Sequence, residues 1–140
     1  MGKKNSSGQT TQIIMKKIIY TDKAPAPIGP YNQAVLVGNT LYTSGQIALD
    51  PATMELVMDS IEVETTQVMN NMKAVLEAAE MDFSNVIKST IFISDMNDFA
   101  KINQVYASYF DEDDAPARET VQVSKLPRNV NIEISMIAIK

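Results

Sequence analysis

Two charged residues in the C-terminal third stand where charge is not expected without a reason. Arg118 closes Ala115-Pro116-Ala117-Arg118, the point at which a loop enters an apolar run, and Glu133 sits between Ile132 and Ile134. A guanidinium at a strand entrance can hold a carboxylate through two parallel charge-assisted hydrogen bonds, each worth about 1.5–3 kcal/mol. After the costs of association, such a clamp retains a small acid at micromolar to millimolar affinity. The competing reading of Arg118 is an ion pair with the acidic run Asp111-Glu112-Asp113-Asp114, itself read as a solvated loop. Strands disfavour Glu, so Glu133 is either a solvent or interface residue or a carboxylate that orients or deprotonates water. Tyr31, Ser44 and Asn103 are less informative singly: a packed aromatic, a bulge residue before Gly45, and a polar residue on a helix.

What is missing narrows the chemistry further. The 140 residues contain no His and no Cys. That removes Ser-His-Asp triads, thiol nucleophiles, the usual zinc sites and redox pairs. Proton transfer near neutral pH falls to a carboxylate, Lys, Tyr, the backbone or water. No phosphate loop, no dinucleotide fingerprint and no metal-ligand cluster is present, so no cofactor and no metal are expected. A net charge of −5 argues against a nucleic-acid partner. No apolar run approaches the roughly 18 residues of a membrane span, and no signal-peptide core is seen; the expectation is a cytoplasmic protein without a membrane partner.

These residues need elements to position them. Residues 1–14 are polar and of low complexity, of native or foreign origin, and are expected to take no part in the fold; a single domain is expected over 15–140. Residues 17–20 read as a strand and 24–31 (APAPIGPY) as a stiff loop. Residues 34–37 and 41–47 flank Gly38-Asn39 as a hairpin. Ile61, Thr65, Val68, Met72, Val75 and Ala79 recur at helical spacing, which predicts a helix over 60–80 capped by Ser60. Residues 86–93 read as a strand and 96–110 as a second helix, with Asp95 and Asp98 as a capping pair. Two final strands span 118–124 and 131–139, joined by Leu126-Pro127-Arg128-Asn129. The order predicts an α+β fold: a mixed six-stranded sheet with both helices on one face. Alternation in the last two strands places Arg118 and Glu133 on the polar, uncovered face, where self-association is expected.

The stretches 24–31 (APAPIGPY), 41–47 (LYTSGQI), 96–103 (MNDFAKIN) and 116–133 (PARETVQVSKLPRNVNIE) resemble the RidA (YjgF) family of reactive intermediate deaminases, in one register from about Lys16 to Lys140. The resemblance implies a chorismate-mutase-like fold and a homotrimer with sites between subunits. It implies hydrolysis of 2-imino acids, such as 2-iminobutanoate and 2-iminopropanoate made by pyridoxal-phosphate dehydratases, to 2-keto acids and ammonia. By the same resemblance Arg118 binds the substrate carboxylate and Glu133 positions water. Tyr31, Ser44, Gly45, Asn103 and Thr120 line the cleft, and Gly45 lets backbone approach the ligand. The alternative is a non-catalytic 2-keto acid binder or regulator. The chain departs from the family at Thr120, where Cys is frequent, and at Met54 and Glu80, where Gly is frequent; Glu80 is expected to strain or lengthen the end of the first helix.

Overall fold

A computed structural model describes residues 15–140 and, ahead of them, the short strands Gly2–Lys4 (β1) and Thr10–Gln12 (β2). β1 and β2 pair only with each other, and the rest of the segment expected to stay out of the fold lies outside the described residues.

The domain is one sheet of six strands: Lys16–Ile19 (β3), Ala34–Val37 (β4), Thr40–Thr43 (β5), Val86–Ile93 (β6), Ala117–Gln122 (β7) and Ile132–Ile139 (β8). Their spatial order is β3-β4-β5-β8-β6-β7. All pairs are antiparallel except β6 with β7, which the helix Phe99–Ala107 (α2) connects as a crossover. The β4–β5 hairpin turns at Gly38, whose φ of 62° a side chain would strain, and closes with Val37 opposite Thr40.

Helix α1 (Ile61–Ala78) begins where Ser60 accepts a hydrogen bond from the Val63 amide at 3.0 Å. Its apolar stripe of Val68, Met69, Met72, Val75 and Leu76 is fully buried on Ile91, Ile93, Ile132, Ile134 and Met136 of the sheet. The helix ends in paired reverse hydrogen bonds, Glu80 amide to Glu77 carbonyl and Met81 amide to Leu76 carbonyl. Glu80 occupies the left-handed position of that motif at φ 60°, and Met54 is also left-handed at φ 60°. Glu80 thus strains the end of α1 and does not lengthen it.

The structure changes three expectations. The run 41–47 is not one strand. Tyr42 pairs with Ile137 and Gln46 with Ile134, so four steps on one side face three on the other and Ser44-Gly45 bulges out. The run 96–110 divides into a 3₁₀ turn, Met96–Asp98, and the nine-residue α2. Asp95 caps the turn through the Asn97 amide, while Asp98 makes no side-chain cap. Third, Arg118 and Glu133 are on opposite faces of the sheet. Glu133 pairs with Phe92 and Phe92 with Val121, so these three share the uncovered face. Arg118 pairs with Ser89, which is buried under α2. The alternation in β7 misled because β7 is an edge strand, wet on both sides: Val121, read as its core face, is 41% exposed.

The uncovered face carries a row of apolar partners across four strands, Ile18, Val35, Tyr42 and Ile137, with Ile18 and Tyr42 exposed. Among the described residues no helix is long and apolar enough to cross a membrane.

Candidate functional site

Arg118 is fixed by α2. Its Nη1 donates to Asn103 Oδ1 at 2.7 Å, and its guanidinium carbon lies 5.0 Å from the Tyr106 ring centre and 5.7 Å from that of Phe99. One amide oxygen and two ring faces orient the fork, and its remaining N–H donors are available to a ligand. The acidic run does not pair with it; the ion pairs among the described residues are Lys88–Glu119 and Lys140–Glu80. Tyr106 is itself held, its hydroxyl donating to Ser89 Oγ at 2.8 Å. Burial pushes the Tyr106 phenol above its ordinary range, against the opposing pull of Ser89 and the Arg118 charge. Asn103, Tyr106, Phe110, Glu112, Pro116 and Arg118 border an open cavity of about 510 Å³.

Glu133 belongs to a different hollow. It lines a cavity of about 270 Å³ with Tyr31, Gln33, Gly45, Pro127 and Arg128. Burial raises the Glu133 carboxyl above the usual carboxylate value. Gly45 leaves the Glu133 carboxyl where it is: a Cβ would stand 2.6 Å from Glu133 Oε2 and 2.7 Å from its carboxyl carbon, so the end of that side chain would have to move. The bulge at Ser44-Gly45 therefore delivers bare backbone against the carboxylate. Ser44 is occupied in holding the opposite wall, its amide donating to Gln33 O at 2.9 Å and its hydroxyl to Asn32 O at 2.5 Å. Tyr31 is half exposed at the cavity edge, and its hydroxyl accepts a long 3.4 Å bond from the Ile28 amide.

The predicted residues thus form two groups. Arg118 and Asn103 are together on the helix side; Glu133, Gly45, Tyr31 and Ser44 are together on the other. Thr120, two residues from Arg118, has a buried hydroxyl with no hydrogen-bond partner among the described residues. Four contributors were not singled out in the sequence. Phe99 and Tyr106 lie in the run 96–110, which was read only as a second helix. Gln33 is 2% exposed and binds the proline loop to β4, accepting from the Thr21 amide at 2.8 Å and donating to the Thr21 and Pro25 carbonyls at 2.9 Å each. Arg128 sits in a turn that displayed only a Leu-Pro signal. No group of three or more Asp or Glu among the described residues is arranged to hold a metal ion.

Comparison with known proteins shows the family and the fold. Residues 21–140 match the family described as endoribonuclease L-PSP. A RutC family protein of Pyrococcus horikoshii is 54% identical over 126 residues, 90% of this chain and 99% of its own. The 2-iminobutanoate/2-iminopropanoate deaminase of Mus musculus is 46% identical over 127 residues, 91% of this chain and 93% of its own. Among solved structures, TdcF of E. coli with bound serine gives a TM-score of 0.83 at 45% identity, covering 89% of this chain and 98% of its own. RidA of an Antarctic Psychrobacter gives 0.85 at 44% identity, covering 89% and 99%.

Proposed function

We propose, from the premise that this chain belongs to the endoribonuclease L-PSP family that includes the RidA proteins, that it hydrolyses 2-imino acids to 2-keto acids and ammonia. The observation that carries the proposal is the division of the site. A carboxylate clamp and a half-buried carboxylate lie on opposite faces of one sheet, so they meet only if one subunit's Arg118 faces another subunit's Glu133. The apolar row on the uncovered face supplies a surface for that association, and a homotrimer with sites at its subunit boundaries satisfies it.

The chemistry then follows from the groups present. Arg118 binds the substrate carboxylate. Glu133 accepts a proton from water as the oxygen attacks the iminium carbon. Glu133 returns that proton to the nitrogen of the resulting carbinolamine; the C–N bond then breaks as the hydroxyl gives its own proton to Glu133, the C=O bond forms, and ammonia leaves. Imines hydrolyse readily without help, so a general acid–base contribution of about 10²–10⁴ suffices. No step needs a cofactor or covalent intermediate. A ribonuclease reading, which the family description names, finds no His for general acid–base catalysis and a net charge of −5 against a polyanion.

The test generates 2-iminobutanoate in situ with a threonine dehydratase and follows keto-acid release against semicarbazide trapping. Faster release with the protein is expected; no gain, with keto-acid binding retained, makes it a binder. Mixing subunits tests the divided site. Arg118→Ala and Glu133→Gln, each slowed by about 10² or more alone, should regain about a quarter of the wild-type rate after mixed refolding, because random pairing restores both groups at one boundary in four. Failure to complement despite mixed oligomers overturns the shared site.

A further inference from the structure

Arg128 lines the Glu133 cavity and has no part in the chemistry above. Its backbone is left-handed, φ 57° and ψ 22°, and Asn129 after it is left-handed as well. A non-glycine residue keeps such a conformation only where its surroundings impose it, and such residues gather at ligand sites. Here the surroundings do so from both sides. Leu126 and Val130 are buried anchors, and the fully buried Glu64 of α1 accepts from the Asn131 amide and from Asn131 Nδ2, both at 2.8 Å. The turn is held firmly, and what it holds is a guanidinium that makes no hydrogen bond or ion pair among the described residues. Nor does Arg128 pair with Glu133, since the ion pairs among the described residues are Lys88–Glu119 and Lys140–Glu80.

The cavity is also open to solvent and, at about 270 Å³, leaves room beside Glu133. Pro25, Ile28, Ile47, Leu49 and Pro127 give it an apolar wall, with Arg128 the one cation lining it.

From this we infer that Arg128 is a specificity-determining residue that binds a second carboxylate, at the end of the substrate side chain, so that the site takes imines of dicarboxylic amino acids. The inference rests on the proposed imine hydrolysis: Arg118 of one subunit holds the α-carboxylate, and Arg128 beside the other subunit's Glu133 receives the distal one.

The experiment compares two stable keto acids of equal length, 2-ketoglutarate and 2-ketopentanoate, by titration calorimetry on the full chain. The expected result is at least tenfold tighter binding of 2-ketoglutarate. Arg128→Asn and Arg128→Gly both tolerate the left-handed backbone, so the turn is kept while the charge is lost; both should bring the two affinities within about twofold, and Arg128→Lys should restore part of the preference. Equal affinities in the wild type, or a preference that survives both neutral variants, overturn the inference and leave the hydrolysis standing. Binding of neither keto acid, with no turnover of 2-iminobutanoate, overturns the hydrolysis and the inference together.

Discussion

The Arg118 half and the Glu133 half of this molecule are built in different ways. The first is local: Asn103, Tyr106 and Arg118 come from one helix and the edge strand that follows it. The second is assembled from three distant segments, the proline loop stapled by Gln33, the bulge at Ser44-Gly45, and the turn at Pro127–Asn129 leading into β8. An anchor for a carboxylate needs an oriented fork, which a helix and an aromatic pair provide. On the proposed reading, Glu133 handles a proton and so needs partial burial and close walls, which these segments provide. The comparison yields predictions that sharpen or break it.

The largest effect belongs to the clamp. Arg118→Ala should lower kcat/KM by about 10²–10⁴, equivalent to two charge-assisted hydrogen bonds, while light scattering shows an unchanged oligomer. Undiminished activity in that variant ends the clamp assignment. Next, Glu133→Gln should slow turnover by about 10² and weaken keto-acid binding less. The wild-type kcat/KM should fall on the acid side at a pH above 4.5, because burial raises the carboxyl that must be ionised, and this limb should vanish in the variant. The sign for stability is opposite to the usual carboxylate case. The folded state holds the proton more tightly than the unfolded one, so stability is full below the unfolded value and falls as pH rises through the folded one. Glu133→Gln should therefore melt higher than the wild type at neutral pH. A lower melting temperature would make Glu133 a structural residue.

A smaller effect is expected from crowding the second half. Gly45→Ala puts a carbon within 3 Å of the Glu133 carboxyl. It should push the Glu133 carboxyl aside, reducing kcat more than substrate affinity, with little change in stability by denaturant unfolding because the end of a side chain beside a cavity can move. Loss of affinity alone would place Glu133 outside the reaction. The smallest effect lies away from both halves. Glu80→Gly relieves a left-handed residue and should stabilise by about 0.5–1 kcal/mol, with the same kcat/KM. A change in activity there would mean that the end of α1 communicates with the site.

Much of the framework was readable along the chain. The Gly38-Asn39 hairpin, the Ser60 cap, the stripe of α1 and the alternation of β8 each follow from local rules, and each is where it was expected. The face of β7 was not readable. Alternation tells one face of a strand from the other, but only packing says which one is covered. An edge strand with solvent on both sides carries too little apolar contrast to decide. The bulge at Ser44-Gly45 was legible as a possibility, and its purpose only once Glu133 appeared opposite it.

The sequence by itself determined the family and the chemistry available to it: no histidine or thiol, one arginine at a strand entrance, one carboxylate in an apolar strand. Those are matters of residue type and spacing. Tertiary structure decided that the two groups belong to separate halves, because side-chain direction in a sheet depends on pairing with strands far away in the chain. It also brought Arg128 beside Glu133, held in a left-handed turn by a buried carboxylate 67 residues from Asn131. No local pattern encodes that contact, since it exists only when helix α1 is seated on the sheet.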